Sequence, residues 1–181
     1  MADGFTADQL QAHVARLRRY ARALTGNREA ADDLTQDTLE RAWNKRALYD
    51  GSGPEQPASL RAWLHSVMHN QFINGVRRRR PTESIDDIPD AALVLQAAGA
   101  SAETRAALGD LQRALTRLPD EQREVVLLVG LEQLSYAEAA ASLGVPIGTV
   151  MSRLSRGRER LRQLMDESPG AAGVGGLRRI K

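Results

Sequence analysis

The stretch that most constrains this chain is residues 135–164, SYAEAAASLGVPIGTVMSRLSRGRERLRQL. Ser135 followed three residues later by Glu138 is a capping box, which predicts the start of a helix. Gly144 supplies the positive-φ position that a sharp turn needs, and Pro146 is preset for the first turn of a second helix. A short helix, a glycine turn and a second amphipathic helix together predict a helix-turn-helix.

The second helix of this motif carries hydroxyl and guanidinium side chains. Val150 and Leu154 recur at helical spacing and are expected to face the core. The remaining surface suits base edges and phosphates in a DNA groove. Its candidate DNA-binding residues are Thr149, Ser152, Arg153, Ser155, Arg156 and Arg158. A solvated basic helix is the alternative, but the order of capping box, glycine turn and basic helix favours DNA binding.

The composition narrows the fold class and the compartment. Aromatic residues make up only 4% of the 181 residues, so the core must be built from Leu, Ala and Val, which favours helices over sheets. The absence of cysteine excludes disulfides, cysteine zinc sites and thiol catalysis. No run is long enough to span a bilayer, and the N-terminus lacks a signal pattern. We therefore expect a cytoplasmic protein without membrane insertion.

The first half of the chain begins with two predicted helices. Leu10, Leu17 and Leu24 belong to an amphipathic stripe that ends near Gly26. The second helix, over residues 29–48, carries an acidic surface made of Asp32, Asp33, Asp37 and Glu40. These carboxylates either complement the helix dipole or form a docking face for a basic partner, and the residues alone favour neither.

A third helix is predicted from near Ser59 until Pro81 stops it. Its last turns carry adjacent arginines, which repel one another unless a polyanion lies against them, although the helix dipole also favours cations there. Amide side chains one or two turns earlier suit the edges of unpaired bases. The candidates for this second DNA contact are Asn70, Gln71, Asn74, Arg77, Arg78 and Arg80.

Residues 82–104 are acidic and then Ala-rich without a helical period, which predicts a linker. Helices are predicted over residues 105–118 and 120–129, ahead of the helix-turn-helix. The glycine-rich tail, residues 168–181, is expected to be disordered. The predicted fold is all-α, with two small helical domains, residues 1–81 and 105–167, joined by a flexible linker.

No motif in the chain indicates catalysis. His65 and His69 have the i, i+4 spacing of metal ligands, but no third ligand is evident and arginines lie nearby. No glycine-rich phosphate loop and no nucleophile elbow is present. We therefore expect no enzyme activity, no bound metal and no cofactor.

Three blocks of sequence in this order resemble one protein family. They are AADDLTQDTLERAW at residues 30–43, LRAWLHSVMHNQFINGVRRRR at residues 60–80, and the stretch at residues 118–161 that contains the helix-turn-helix. Together they resemble the extracytoplasmic-function (ECF) class of bacterial RNA polymerase sigma factors. The resemblance covers most of residues 10–165.

The resemblance implies a role for each half of the chain. The first domain would bind the clamp helices of the polymerase β′ subunit and open the −10 promoter element, with residues 48–59 holding a flipped base. The second would read the −35 element in the major groove, close to the β flap. The implied polymerase-binding residues are Asp33, Leu34, Gln36, Asp37 and Trp43. Ser152, Ser155 and Arg156 would face bases, Arg153 and Arg158 phosphates, and an anti-sigma factor is an expected partner.

The sequence departs from the family pattern at three positions. Asn74 stands where many relatives carry Asp, Met151 where many carry a basic residue, and Gly157 where Ala is common. A glycine inside a helix costs about 1 kcal/mol relative to alanine, so we expect a softer end to the recognition helix. Two other function classes remain: a stand-alone helix-turn-helix regulator, and a protein-binding mimic of a sigma factor.

Overall fold

The computed structural model describes residues 4–49, 59–78 and 101–167. Within these ranges the chain forms seven α-helices and no strand, as the predicted all-α class requires. The first half contains α1 (Ala7–Thr25), α2 (Arg28–Asn44), a 3-10 turn (Arg46–Leu48) and α3 (Leu60–Arg78). The second half contains α4 (Ala102–Thr116), α5 (Asp120–Gly130), α6 (Tyr136–Leu143) and α7 (Ile147–Asp166).

Local signals set the ends of the first two helices. Thr6 and Gln9 form a capping box at the start of α1, and Gly26 ends the helix with φ at 70°. The side chain of Asn27 then accepts a hydrogen bond from the backbone N–H of Ala30 at the start of α2. The helix α2 ends at Asn44, four residues earlier than predicted, because the chain tightens into the 3-10 turn.

The first half packs its three helices around leucine, alanine and aromatic side chains. Leu17, Leu24 and Leu64 are buried between the helices. Near the chain start, the ring centroid of Trp63 lies 5.6 Å from that of Phe5 and 5.4 Å from that of Tyr49. This cluster attaches the residues before α1 and after the 3-10 turn to α3, at a spacing favourable for aromatic pairs.

The second half contains the predicted helix-turn-helix. Ser135 and Glu138 cap α6 reciprocally, and Gly144 turns the chain with φ at 63° before α7 begins. Gly157 is buried where α7 crosses α5, and a Cβ there would lie 2.8 Å from Cγ2 of Val126. The glycine that the sequence suggested would soften the helix therefore permits close packing of two helices.

The predicted start of α4 differs from the structure, and several stretches of the chain lie outside the described residues. Ser101 caps α4, so this helix begins at Ala102, three residues earlier than the predicted start at residue 105. The rest of the predicted linker, the predicted disordered tail at residues 168–181, and residues 50–58 lie outside the described residues.

The two halves pack against each other, and we call this contact the seam. It joins α3 to α6, and α1 to α4 and α5. The hydroxyl of Ser142 donates to the carbonyl of Ala62 at 2.9 Å, and the hydroxyl of Ser59 donates to Oε1 of Glu138 at 3.0 Å. Polar contacts of this kind fix the register of the halves, because each donor needs its acceptor in place.

Candidate nucleic-acid and protein interfaces

Four of the five predicted docking residues of α2 are exposed, and the fifth, Leu34, is buried. Asp33, Gln36 and Asp37 are exposed, whereas Leu34 is buried and supports the face from the core. The indole of Trp43 is 38% exposed, and the guanidinium of Arg46 stacks 4.4 Å from its ring centroid. The exposed set is acidic with an aromatic edge, which suits a basic protein surface.

A groove between α2 and α3 connects the two predicted sites of the first half. Asp33 and Asp37 line it from α2, and Gln71, Phe72 and Gly75 line it from α3. The side-chain amide of Gln71 donates to the backbone carbonyl of Asp37 at 3.5 Å. The two predicted surfaces of the first half are therefore contiguous across this groove.

The candidates for unpaired bases lie along the last turns of α3. Asn70 and Asn74 are exposed one turn apart, and the amide of Asn70 donates to the carbonyl of Ser66 at 2.9 Å. Gln71 is partly exposed. The side chains of Arg77 and Arg78, the whole of Arg80, and most of the loop expected to hold a flipped base lie outside the described residues.

The helix α7 separates its residues into a buried side and a solvent side, as predicted. Val150 and Leu154 are buried. The candidates Ser155, Arg156 and Arg158 are exposed, and Thr149, Ser152 and Arg153 are partly exposed. All six predicted DNA-binding residues therefore lie on one helix with access to solvent.

Two of these side chains already have partners within the protein. The hydroxyl of Ser152 donates to the carbonyl of Thr149 at 3.0 Å. The guanidinium of Arg153 lies 2.7 Å from Oε2 of Glu121 on α5. Because Glu121 is largely exposed, this pair is screened and can exchange for a phosphate at low cost.

The seam contains a cluster of charges that the sequence did not reveal. Glu132, between α5 and α6, is fully buried. Its carboxylate oxygens lie 3.4 Å from Nε of Arg16, 3.6 Å from Nη2 of Arg19 and 3.6 Å from Nε2 of His65. The contacts are ion pairs at distances longer than ordinary hydrogen bonds, so this carboxylate depends on the positive charge of α1.

The two histidines considered as metal ligands each lie beside a carboxylate of the second half, His65 beside Glu132 and His69 beside Glu124. His69 lies 2.7 Å through Nδ1 from Oε1 of Glu124, while Nδ1 of His65 meets the carbonyl of Arg61 at 2.8 Å. Burial lowers the pKa of His65, despite the nearby carboxylate of Glu132. The i, i+4 spacing thus places both rings on the side of α3 that faces the seam.

Arg123 is a second seam residue that the sequence did not reveal. Its buried guanidinium donates to the carbonyls of Leu115 in the last turn of α4 and of Leu118 just after that helix, both at 2.8 Å. It also donates to the carbonyl of Leu24 in α1 at 2.7 Å. A cation there satisfies carbonyls at the C-terminal ends of two helices. Burial lowers the pKa of Arg123. The one sequence signal near Arg123 is the apolar run at residues 125–129 that follows it in α5.

Comparisons with known proteins identify the two halves separately. Residues 108–161 match the model of sigma-70 region 4, and residues 10–69 match the model of the sigma2 domain of PhyR. The class defined by the fold and its surfaces is therefore that of σ70-type factors, with a region-2-like and a region-4-like half.

Full-length relatives identify the family within this class. The chain is 35% identical to the ECF RNA polymerase sigma factor EcfG of Rhodopseudomonas palustris, over 87% of this chain and 83% of EcfG. It is 39% identical to the ECF sigma factor SigE of Mycolicibacterium smegmatis over 84% of this chain, and it spans 58% of SigE. The chain belongs to the ECF family of RNA polymerase sigma factors.

A solved structure agrees with this assignment. The sigma factor RpoE of Bartonella quintana, in complex with the anti-sigma factor NepR, superposes with a TM-score of 0.70 at 32% identity. The match covers 89% of this chain and 96% of RpoE. In the part of the chain that the structure describes, no helix is both long and apolar enough to cross a membrane.

Proposed function

We propose that this chain directs core RNA polymerase to specific promoters and helps to open them. The observation that carries the proposal is the family relation across both halves, with 35% identity to EcfG over 87% of the chain. Polymerase supplies the catalysis, and the chain itself is no enzyme. It acts in the cytoplasm, where promoter DNA and polymerase are found.

Each surface receives one task under this proposal. The acidic face of α2 binds the β′ clamp helices, which its exposed carboxylates and Trp43 support. The end of α3 binds the strand of the −10 element, with Asn70, Gln71 and Asn74 at base edges and Arg77, Arg78 and Arg80 at phosphates. Extruding a base costs a few kcal/mol, which stacking and pocket contacts offset.

The second half reads the −35 element, and α7 enters the major groove. Ser152, Ser155 and Arg156 face bases, with Thr149 beside them, while Arg153 and Arg158 hold phosphates. The exposed guanidinium of Arg156 suits a bidentate contact with guanine. The β flap of the polymerase is the expected neighbour of this half.

Promoter binding requires the two halves to separate at the seam. The two elements lie about 25 base pairs apart, which is about 85 Å at 3.4 Å per base pair. A compact chain of this length has a radius of gyration of about 16 Å and cannot span that distance. The 22 residues between Arg78 and Ser101 can reach about 75 Å when extended, so the chain allows the separation.

An anti-sigma factor is the second partner that we propose. RpoE of Bartonella quintana, which this chain resembles over almost its full length, was solved in complex with the anti-sigma factor NepR. A partner that binds both halves in their packed arrangement would stabilise it by mass action and withhold the chain from polymerase.

The decisive experiment is run-off transcription with core polymerase and a library of promoters. We expect a defined promoter motif to be enriched. Asp33→Arg with Asp37→Arg should abolish polymerase binding and leave the circular dichroism spectrum unchanged, since both side chains are exposed. Asp8→Arg, an exposed acidic position at the start of α1, is the matched control and should bind normally. Retained binding by the double variant would contradict the docking face.

A protein-binding sigma mimic is the second candidate, because residues 10–69 match the sigma2 domain of PhyR. Such a mimic has no need of a basic recognition helix, whereas Arg156 and Arg158 are exposed on α7. A third candidate, a stand-alone helix-turn-helix regulator, would bind duplex DNA tightly without polymerase. Failure to support transcription, combined with binding to an anti-sigma factor, would favour the mimic.

A further inference from the structure

The solvent side of α7 carries two apolar side chains where a soluble helix would carry polar ones. Ile147 is 48% exposed and Met151 is 53% exposed. They are two of the five large hydrophobic side chains that are exposed within residues 4–49, 59–78 and 101–167. Because i and i+4 share a helix face, the two lie one turn apart on the same side.

The core does not account for these side chains. The core side of α7 is occupied by Val150, Leu154 and Gly157, which are all buried. Ser155 continues the stripe of Ile147 and Met151 by one further turn and is exposed. An apolar pair in line with a candidate base contact is best explained by a partner that the helix meets through this side.

We infer that Ile147 and Met151 read the methyl groups of thymines in the −35 element. Thymine is the one base that presents a methyl group in the major groove, and apolar side chains recognise it by contact. The inference rests on the proposed function, because it requires α7 to enter that groove. It adds a preference for thymine to the guanine contact proposed for Arg156.

The spacing of the pair sets the spacing of the methyl groups. Four residues of α-helix rise about 6 Å, and two base-pair steps rise about 6.8 Å. Residues in the first turns of a recognition helix are the ones that reach base edges. We therefore expect two thymines within about two base-pair steps, one read by each side chain.

The test removes the methyl groups alone. The −35 element selected from the promoter library is synthesised with deoxyuridine in place of each thymine in turn, and initiation is measured with the full chain and core polymerase. Each methyl that is read should contribute about fourfold, which corresponds to about 0.8 kcal/mol. In Met151→Ala one of these uracil effects should disappear, and in Ile147→Ala the other. Tyr136→Ala, exposed on α6 outside both candidate DNA surfaces, is the control and should keep both uracil effects.

Three outcomes would overturn the inference. Variants that keep the full uracil effects would show that other groups read the methyls, and a selected element without thymine at these positions would leave nothing to read. Variants that lose binding to polymerase or to an anti-sigma factor, with unchanged uracil effects, would make the pair a protein-docking patch. If the wild-type chain starts no promoter-specific transcription even on the thymine-containing element, the proposed function itself fails, whereas in the other three outcomes the wild-type chain still initiates.

Discussion

The seam between the two halves and the solvent side of α7 are both rich in charge, but they hold it differently. In the seam, Glu132 is fully buried and depends on Arg16 and Arg19 of the other half. On α7, Arg156 and Arg158 are exposed to solvent. Buried charges need a specific partner, whereas solvated ones remain available to a ligand. The comparison indicates that the seam charges fix how the halves sit together, whereas the exposed cations of α7 remain available to a partner.

The largest effect is expected from removing the positive charge around Glu132. Arg16→Ala with Arg19→Ala removes both arginines that pair with the buried carboxylate of Glu132, which should cost about 3–5 kcal/mol. Urea unfolding followed by circular dichroism measures the loss. Small-angle scattering should show a larger radius of gyration, because the halves separate to hydrate Glu132.

The matched control for this double variant is Arg18→Ala on the same helix. Arg18 pairs with Asp32 at 3.3 Å within the first half, and both side chains are substantially exposed. Its loss should cost at most about 1 kcal/mol and leave the radius of gyration unchanged. If the double variant were no less stable than Arg18→Ala, the seam charges would contribute as little as surface ones.

The same contrast explains which features could be predicted from the sequence. The helix-turn-helix depends on neighbours in the chain, so the capping box of Ser135 with Glu138 and the turn at Gly144 were predicted correctly. The seam joins residues far apart in sequence: Arg123 donates to Leu24, 99 positions away. No periodicity encodes such a contact, because it exists only once the halves have packed.

An intermediate effect is expected at two glycines of α7, which sequence alone treats alike. A Cβ at Gly157 would meet Val126 and lie 3.3 Å from the carbonyl oxygen of Gln122, whereas one at Gly148 meets nothing within 4 Å. Gly157→Ala should therefore lose about 1 kcal/mol, since overpacking exceeds the gain in helix propensity. Gly148→Ala should instead gain up to about 1 kcal/mol. Thermal unfolding of both variants checks the opposite signs, and equal shifts would contradict the close packing of α5 and α7.

The smallest effect is expected from a change of pH, which alters the charge of a seam histidine, His65. The groups around the His65 ring are the carbonyl and the guanidinium charge of Arg61, the ring of Tyr20, the carboxylate of Glu132, and His13. Burial lowers the pKa of His65 below its usual 6.5. The unfolded chain then binds more protons than the folded one as pH falls through about 6.5, so the free energy of unfolding decreases on acidification.

One such proton changes the free energy of unfolding by at most about 1.4 kcal/mol per pH unit. The decrease in the free energy of unfolding that His65 causes between pH 7 and 6 should therefore stay below about 1 kcal/mol. The lowered pKa of His13, which is also partly buried, acts in the same direction. His65→Gln should reduce the slope measured by urea unfolding at a series of pH values, and the contribution of His13 should remain. A wild-type protein that became more stable on acidification would mean that the attraction of Glu132 exceeds the cost of burying the charged ring. The seam would then tighten, rather than loosen, as histidine gains its proton.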